Sequence, residues 1–245
     1  MTPAPDATAP TPTPKAKRAY SVRGDIDKGL LDDIQTARDV LAAAKDADYN
    51  TTLLTRVKPA VITTLDGNIK TAADDPDHNL CQDVINTKKA AAVATQDEDD
   101  AFATLLAALR VIQKAAGNTY QDDPARRAAY LIGQKNFGKN RSALEADATA
   151  IIALAKSDTL HNLLPADATA AQTALDDWKK ANQDQAAAQD DYAHAIQALR
   201  DTVDLINADR RTIQTAADIL YTYKDDSNGP TRRAFDLPAN RPMKV

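Results

Sequence analysis

The chain has 245 residues, a net charge of −5, 43% hydrophobic and only 4% aromatic residues, with seven Gly and one Cys. Ala-rich, Gly-poor composition favours helix, because Ala loses no side-chain entropy and Gly costs about 1 kcal/mol per helical position. The acidic balance excludes the basic stripe that nonspecific nucleic-acid binding needs. The lone Cys81 excludes an intrachain disulfide, and no apolar run approaches the roughly 18 residues of a transmembrane helix. With no apolar core of a secretory signal at its start, the chain reads as a cytoplasmic protein.

Residues 1–22 carry Pro every few positions (Pro3, Pro5, Pro10, Pro12, Pro14) before Lys15, Lys17 and Arg18. This composition predicts a disordered Pro/Thr-rich tail. A first helix is predicted from near Asp25 to Asp46, with Ile26, Leu30, Ile34, Ala37, Leu41 and Ala44 on one face. A second is predicted from a cap at Asn50 or Thr51, with Leu54, Val57, Val61, Leu65, Ile69 and Ala72 inward. Pro59 falls in its first turns or kinks it. Asp74-Asp75-Pro76-Asp77 reads as a turn with Pro76 at a helix start. The third helix spans about 79–117, roughly 60 Å, and Gly117-Asn118 reads as its left-handed cap.

Next comes Thr119-Tyr120-Gln121-Asp122-Asp123-Pro124-Ala125-Arg126-Arg127-Ala128. It recurs as Thr222-Tyr223-Lys224-Asp225-Asp226, then Pro230-Thr231-Arg232-Arg233-Ala234, with Ser227-Asn228-Gly229 inserted. Shorter matches share this order: Leu65-Asp66 with Leu175-Asp176, and Asp99-Asp100 with Asp190-Asp191. They imply one unit used twice: unit 1 at 23–133, a linker at 134–138, unit 2 at 139–236, and an extended tail at 237–245. In unit 2 a helix is predicted at about 140–157, and Pro165 begins another. No Gly or Pro lies between Pro165 and Gly229. A single helix there would outrun its partners, so a break is predicted around Ala181 to Gln185.

Arg126, Arg127, Arg232 and Arg233 are the candidate anion or interface residues, since paired guanidinia hold phosphate or carboxylate bidentately. The alternative is a structural joint, with Asp caps and Arg folded back on them. Asp97-Glu98-Asp99-Asp100 reads as a solvated acidic patch. Asp75, Asp77, His78 and Cys81 make a poor match to known metal sites. His161 reads as a loop residue and His194 as partly buried on the last long helix. No nucleophile elbow, P-loop, dinucleotide fingerprint, H-E-x-x-H or di-iron E-x-x-H pair is present. The sequence therefore offers no candidate catalytic residue, cofactor or metal.

Leu175-Asp176 with Trp178-Lys179-Lys180, and the closing Tyr-x-Asp-Asp…Pro-x-Arg-Arg-x-Phe-x-Leu-Pro pattern ending at Arg241-Pro242, carry one resemblance. The chain resembles uncharacterised bacterial Ala-rich helical-bundle proteins, which implies a helical fold and no particular activity. The expected fold is all-α, a tandem duplication of antiparallel helical units in an elongated bundle. The expected function is that of a non-enzymatic structural or interaction protein with a protein partner or copies of itself. An anion-binding bundle is the alternative.

Overall fold

The computed structural model describes residues 26–134, 137–138 and 140–244. The predicted Pro/Thr-rich tail at 1–22 lies outside them. The described residues form eight α-helices with no strand.

Helix α1 (Lys28–Lys45) starts where the Asp27 carboxylate accepts from Gly29 N at 2.8 Å, a side-chain N-cap. Its inward face is Ile34, Ala37, Val40, Leu41 and Ala44. The predicted second helix is two helices. Asp46 caps α2 (Ala47–Leu53), and Pro59 opens α3 (Pro59–Ile69) at its first position. Pro lacks the N–H that a helix interior needs, so the chain re-nucleates there rather than kinking. A π-helical turn, Lys70–Asp74, follows α3. The Asp75 carboxylate then accepts from Asp77 N and His78 N at 2.9 and 3.2 Å. Pro76 lies in that bend and starts no helix; Asn79 caps α4 (Leu80–Thr119) by accepting from Gln82 N.

Two further expectations about helix ends are corrected. Gly117 and Asn118 are helical and cap nothing; α4 ends at Thr119, and Tyr120 N donates to Ala116 O at 2.8 Å. More consequentially, α7 (Pro165–Leu220) is one helix of 56 residues with no break at 181–185. It runs roughly 84 Å at 1.5 Å per residue. Its cover comes from different helices in turn. Its first part packs on α4 and α6 (Arg141–Ser157), and its last part on α1, α2 and α3. The direction is antiparallel to α4: Trp178 Nε1 donates to Glu98 at 2.7 Å, and Gln185 Nε2 to Thr95 Oγ1 at 3.2 Å.

Two separate cores result. At the α1 end, Ile34, Leu41, Leu53, Leu65 and Ile69 close on Leu199, Val203, Ile206 and Ile213 of α7. At the α6 end, Leu105, Leu109, Ile112, Leu144, Ile151 and Ile152 close on Ala171, Leu175 and Trp178. Burying each Leu or Ile contributes about 1.5–3 kcal/mol. Between the cores burial falls away among the described residues, although Tyr192 and Ile196 still share a pocket with Ile26 and Leu30, and the stretch before them is the neck. No α7 residue between Trp178 and Leu199 is buried, and α4 buries only Ala91 between Val84 and Glu98.

After α4, helix α5 (Pro124–Ala129) reverses the chain. The return to α6 passes so close to α4 that a Cβ on Gly138, which has φ +76°, would lie 2.6 Å from Leu106 Cδ2. After α7, a 3-10 turn (Asp226–Asn228) leads into α8 (Gly229–Ala234).

Candidate functional site: the two turns and a buried carboxylate

The recurring motif builds a similar turn at each end of the molecule. Both turns end in a buried ring, Tyr130 and Phe235, each followed by a residue at φ +55°, Leu131 and Asp236. In each, a Gln of the preceding long helix donates to the ring residue's carbonyl: Gln113 to Tyr130 O at 2.9 Å and Gln214 to Phe235 O at 3.0 Å. Each ring stacks on the residue that ends the long helix, Tyr120 with Tyr130 at 6.1 Å and Tyr221 with Phe235 at 6.0 Å.

These geometries shift the pairing read from sequence. Pro124 is the first residue of α5, whereas Gly229 of the insert takes that place in α8 and moves Pro230 to the second. The fourth helical residue is therefore Arg127 in one turn and Arg232 in the other. Ile132 N donates to Arg127 O at 3.0 Å and Leu237 N to Arg232 O at 2.8 Å. Tyr120 likewise corresponds to Tyr221 rather than Tyr223. The equivalent arginines both point at the carbonyl end of a long helix, where the dipole favours a cation. Arg127 Nη1 reaches Gly117 O at 3.5 Å and Arg232 Nη1 reaches Tyr221 O at 2.6 Å.

The four candidate arginines do not converge. Arg126 and Arg127 stand at the α6 end, Arg232 and Arg233 at the α1 end. Arg232 is fully buried, and its guanidinium donates to Pro238 O, Tyr221 O and Arg241 O at 2.7, 2.6 and 2.9 Å. Its Nη2 also lies 2.6 Å from Asp218 Oδ1. Protein oxygens fill this fork. The arginine binds the chain's own closing segment, where Leu237 is buried and Met243 N donates to Asp218 at 3.4 Å. Arg233 is exposed.

At the α6 end the hub is an anion. Asp158, which follows α6, accepts from Tyr130 Oη at 2.9 Å, Tyr120 Oη at 3.0 Å and Arg126 Nη1 at 3.0 Å. Burial alone would push its carboxyl up. The two phenol hydrogen bonds and the Arg126 charge outweigh that and hold it below the ordinary carboxylate value. Burial, then the Asp158 hydrogen bond, pushes both phenols above the ordinary tyrosine value.

The acidic run holds the residue that sequence reasoning missed. Glu98 is fully buried, not solvated. Its carboxylate accepts a hydrogen bond from Trp178 Nε1 at 2.7 Å and lies 2.7 Å from Arg141 Nη1. Arg141 also reaches Asp99 at 2.5 Å and stacks over Phe102 at 4.8 Å. This cluster ties α4, α6 and α7 together where the neck begins. Two sequence signals point to it. Glu98 is one of two Glu among 35 acidic residues, and a buried Trp needs an acceptor for its N–H.

The remaining candidates stay apart. His161 is exposed in a loop, as expected, and His194 is exposed on α7 rather than partly buried. Asp75 and Asp77 shape the bend before α4. Among the described residues no group of three or more His, Cys, Asp or Glu is placed to hold a metal ion. Nor is any helix among them long and apolar enough to cross a membrane. The Asp158 side faces a cleft of about 520 Å³ lined by Lys156, Thr159, Leu160, Leu163 and Leu164. No family model, curated protein or solved structure matches this chain.

Proposed function

We propose that the protein is a non-enzymatic structural or interaction protein that assembles with copies of itself, built from two like halves of one duplicated unit. The observation that carries this reading is α7. A single helix of 56 residues forms a spine with a closed core at each end and no buried α7 residue between Trp178 and Leu199. Such a shape sets a fixed spacing between two surfaces. The duplication is supported by the matching hydrogen bonds of the two turns, Gln113 to Tyr130 O and Gln214 to Phe235 O. The conspicuous polar groups are spent inside the molecule: Arg232 on the closing segment, Asp158 on two phenols, Glu98 on Trp178. That use favours scaffolding over anion capture. The anion reading retains Arg126, Arg127 and Arg233.

Light scattering together with electron microscopy tests the proposal. A defined oligomer or filament is the expected result. A strict monomer at every concentration, with no protein retained in pull-downs, overturns it.

A further inference from the structure

Arg38, Arg126, Arg141, Arg210 and Arg232 each lie against a carboxylate of this acidic chain. Arg56 and Arg211 do not. Neither side chain makes an ion pair or a hydrogen bond among the described residues. Both line one open groove of about 420 Å³ between the α2–α3 link and the last turns of α7. The other lining residues, Thr212, Thr215, Ala216 and Ile219, share one face of α7. No carboxylate lines this groove, whereas four other clefts on the described surface carry Asp74, Asp158, Asp27 and Asp184. Both arginines start from fixed backbone. Arg56 N donates to Leu53 O at 2.9 Å, and the buried Leu53 and Val57 pin the link on either side of it. Arg211 stands between Arg210, which reaches Asp33 of α1, and the buried Ile213.

We infer that this groove binds a small organic phosphate monoester, its phosphate held by the Arg56 and Arg211 guanidinia and its apolar part on Ile219. Two guanidinia facing one groove repel each other. An oxyanion between them reverses that and accepts charge-assisted hydrogen bonds from both planar forks. A phosphate monoester carries a charge of about −2 at neutral pH and matches the pair, whereas a carboxylate answers half of it. Thr215 adds a hydroxyl. Thr212 Oγ1 already donates to Ala208 O at 3.0 Å, but the Thr215 hydroxyl makes no hydrogen bond among the described residues. The organic part follows from size and from Ile219. The groove falls within the roughly 300–1,000 Å³ of small-molecule sites, more than phosphate alone fills. Ile219 on its wall is 55% exposed.

Self-assembly does not depend on this site, so the two proposals fail separately. The test titrates the full chain with phenyl phosphate and with inorganic phosphate, at low salt and neutral pH, followed by the amide NMR signals of Arg56, Thr212 and Thr215. Phenyl phosphate should bind saturably, and inorganic phosphate several-fold more weakly. Arg56→Gln and Arg211→Gln should each weaken phenyl phosphate about tenfold or more, the loss of one charged hydrogen-bonding partner. Their urea midpoints should stay unchanged, because both side chains are exposed. Ile219→Ser should bring phenyl phosphate down to the affinity of inorganic phosphate. Arg233→Gln, exposed on α8, should leave binding as it is. Absence of saturable binding, or binding that ignores R56Q and R211Q, overturns the site. Equal affinity of the unaltered chain for the two phosphates overturns the monoester assignment.

Discussion

The two ends of the molecule close a similar backbone turn around hubs of opposite charge. At the α6 end the hub is the Asp158 carboxylate, fed by two phenols and by Arg126, whose side chain is 45% exposed. At the α1 end the hub is the Arg232 guanidinium, fully buried among three carbonyls and Asp218. The rings differ to match. Tyr130 needs its hydroxyl to reach Asp158, whereas Phe235 packs edge-on against Tyr49 at 5.8 Å with no polar atom to satisfy. The turn geometry belongs to the backbone and the Gln bond. The hub is set by what lies beneath: the end of α6 in one case, the chain's closing segment in the other.

Removing the hubs should therefore have unequal costs. Arg232→Leu leaves Asp218 and three carbonyls without their donor, and about 3–5 kcal/mol of stability should be lost. Urea unfolding measures it. Arg232→Lys should recover little, since an ammonium cannot span four oxygens in that fork. The Glu98 cluster comes next. Trp178→Phe keeps the packing but strips a buried carboxylate of a donor, and about 1–3 kcal/mol should go. A loss below about 0.5 kcal/mol would mean that Arg141 alone satisfies Glu98.

Converting one end towards the other has a smaller effect. Tyr130→Phe copies the ring of the α1 end and removes one hydrogen bond from Asp158, for about 1 kcal/mol. It should also change the pH profile. The folded Asp158 value lies below the unfolded one, so its stabilisation is present above the unfolded value and lost as pH falls through the folded one. Wild type should thus lose stability on the acid side below about pH 4, and Tyr130→Phe should lose less there. The phenols act oppositely. Their folded values are raised, so their contribution is full below the unfolded value near about 10 and fades as pH rises beyond it. Arg126→Ala, at a half-exposed pair, should cost at most about 1 kcal/mol.

Much of this fold is legible in the sequence because periodicity and capping are local. α1, α4 and α6 fall close to their predicted bounds, since Ile34, Leu109 and Ile151 recur at helical spacing and Asp27 and Asn140 cap nearby amides. What is not legible depends on distant partners. The expected break at Ala181 to Gln185 assumed one short partner for the last helix; α4, with α6 at one end and α1, α2 and α3 at the other, covers it instead. Gly117 reads as a stop, yet its amide stays in the helix and the chain leaves three residues later. Glu98 looks like its acidic neighbours until Trp178, 80 residues away, is brought beside it. Arg126-Arg127 and Arg232-Arg233 read as equivalent pairs, but the insert at Ser227-Asn228-Gly229 shifts the helical register by one.

The central claim is that one unbroken helix joins two separately closed ends. Spin labels at Thr173 and Leu205, both exposed, straddle the neck. In a Cys81→Ser background, diluted with unlabelled chain, pulsed dipolar spectroscopy reports their separation. An unbroken α7 gives a single narrow distance of about 48 Å, 32 residues at about 1.5 Å each. A shorter or two-peaked distribution, as a hinge at Ala181 to Gln185 would give, contradicts it.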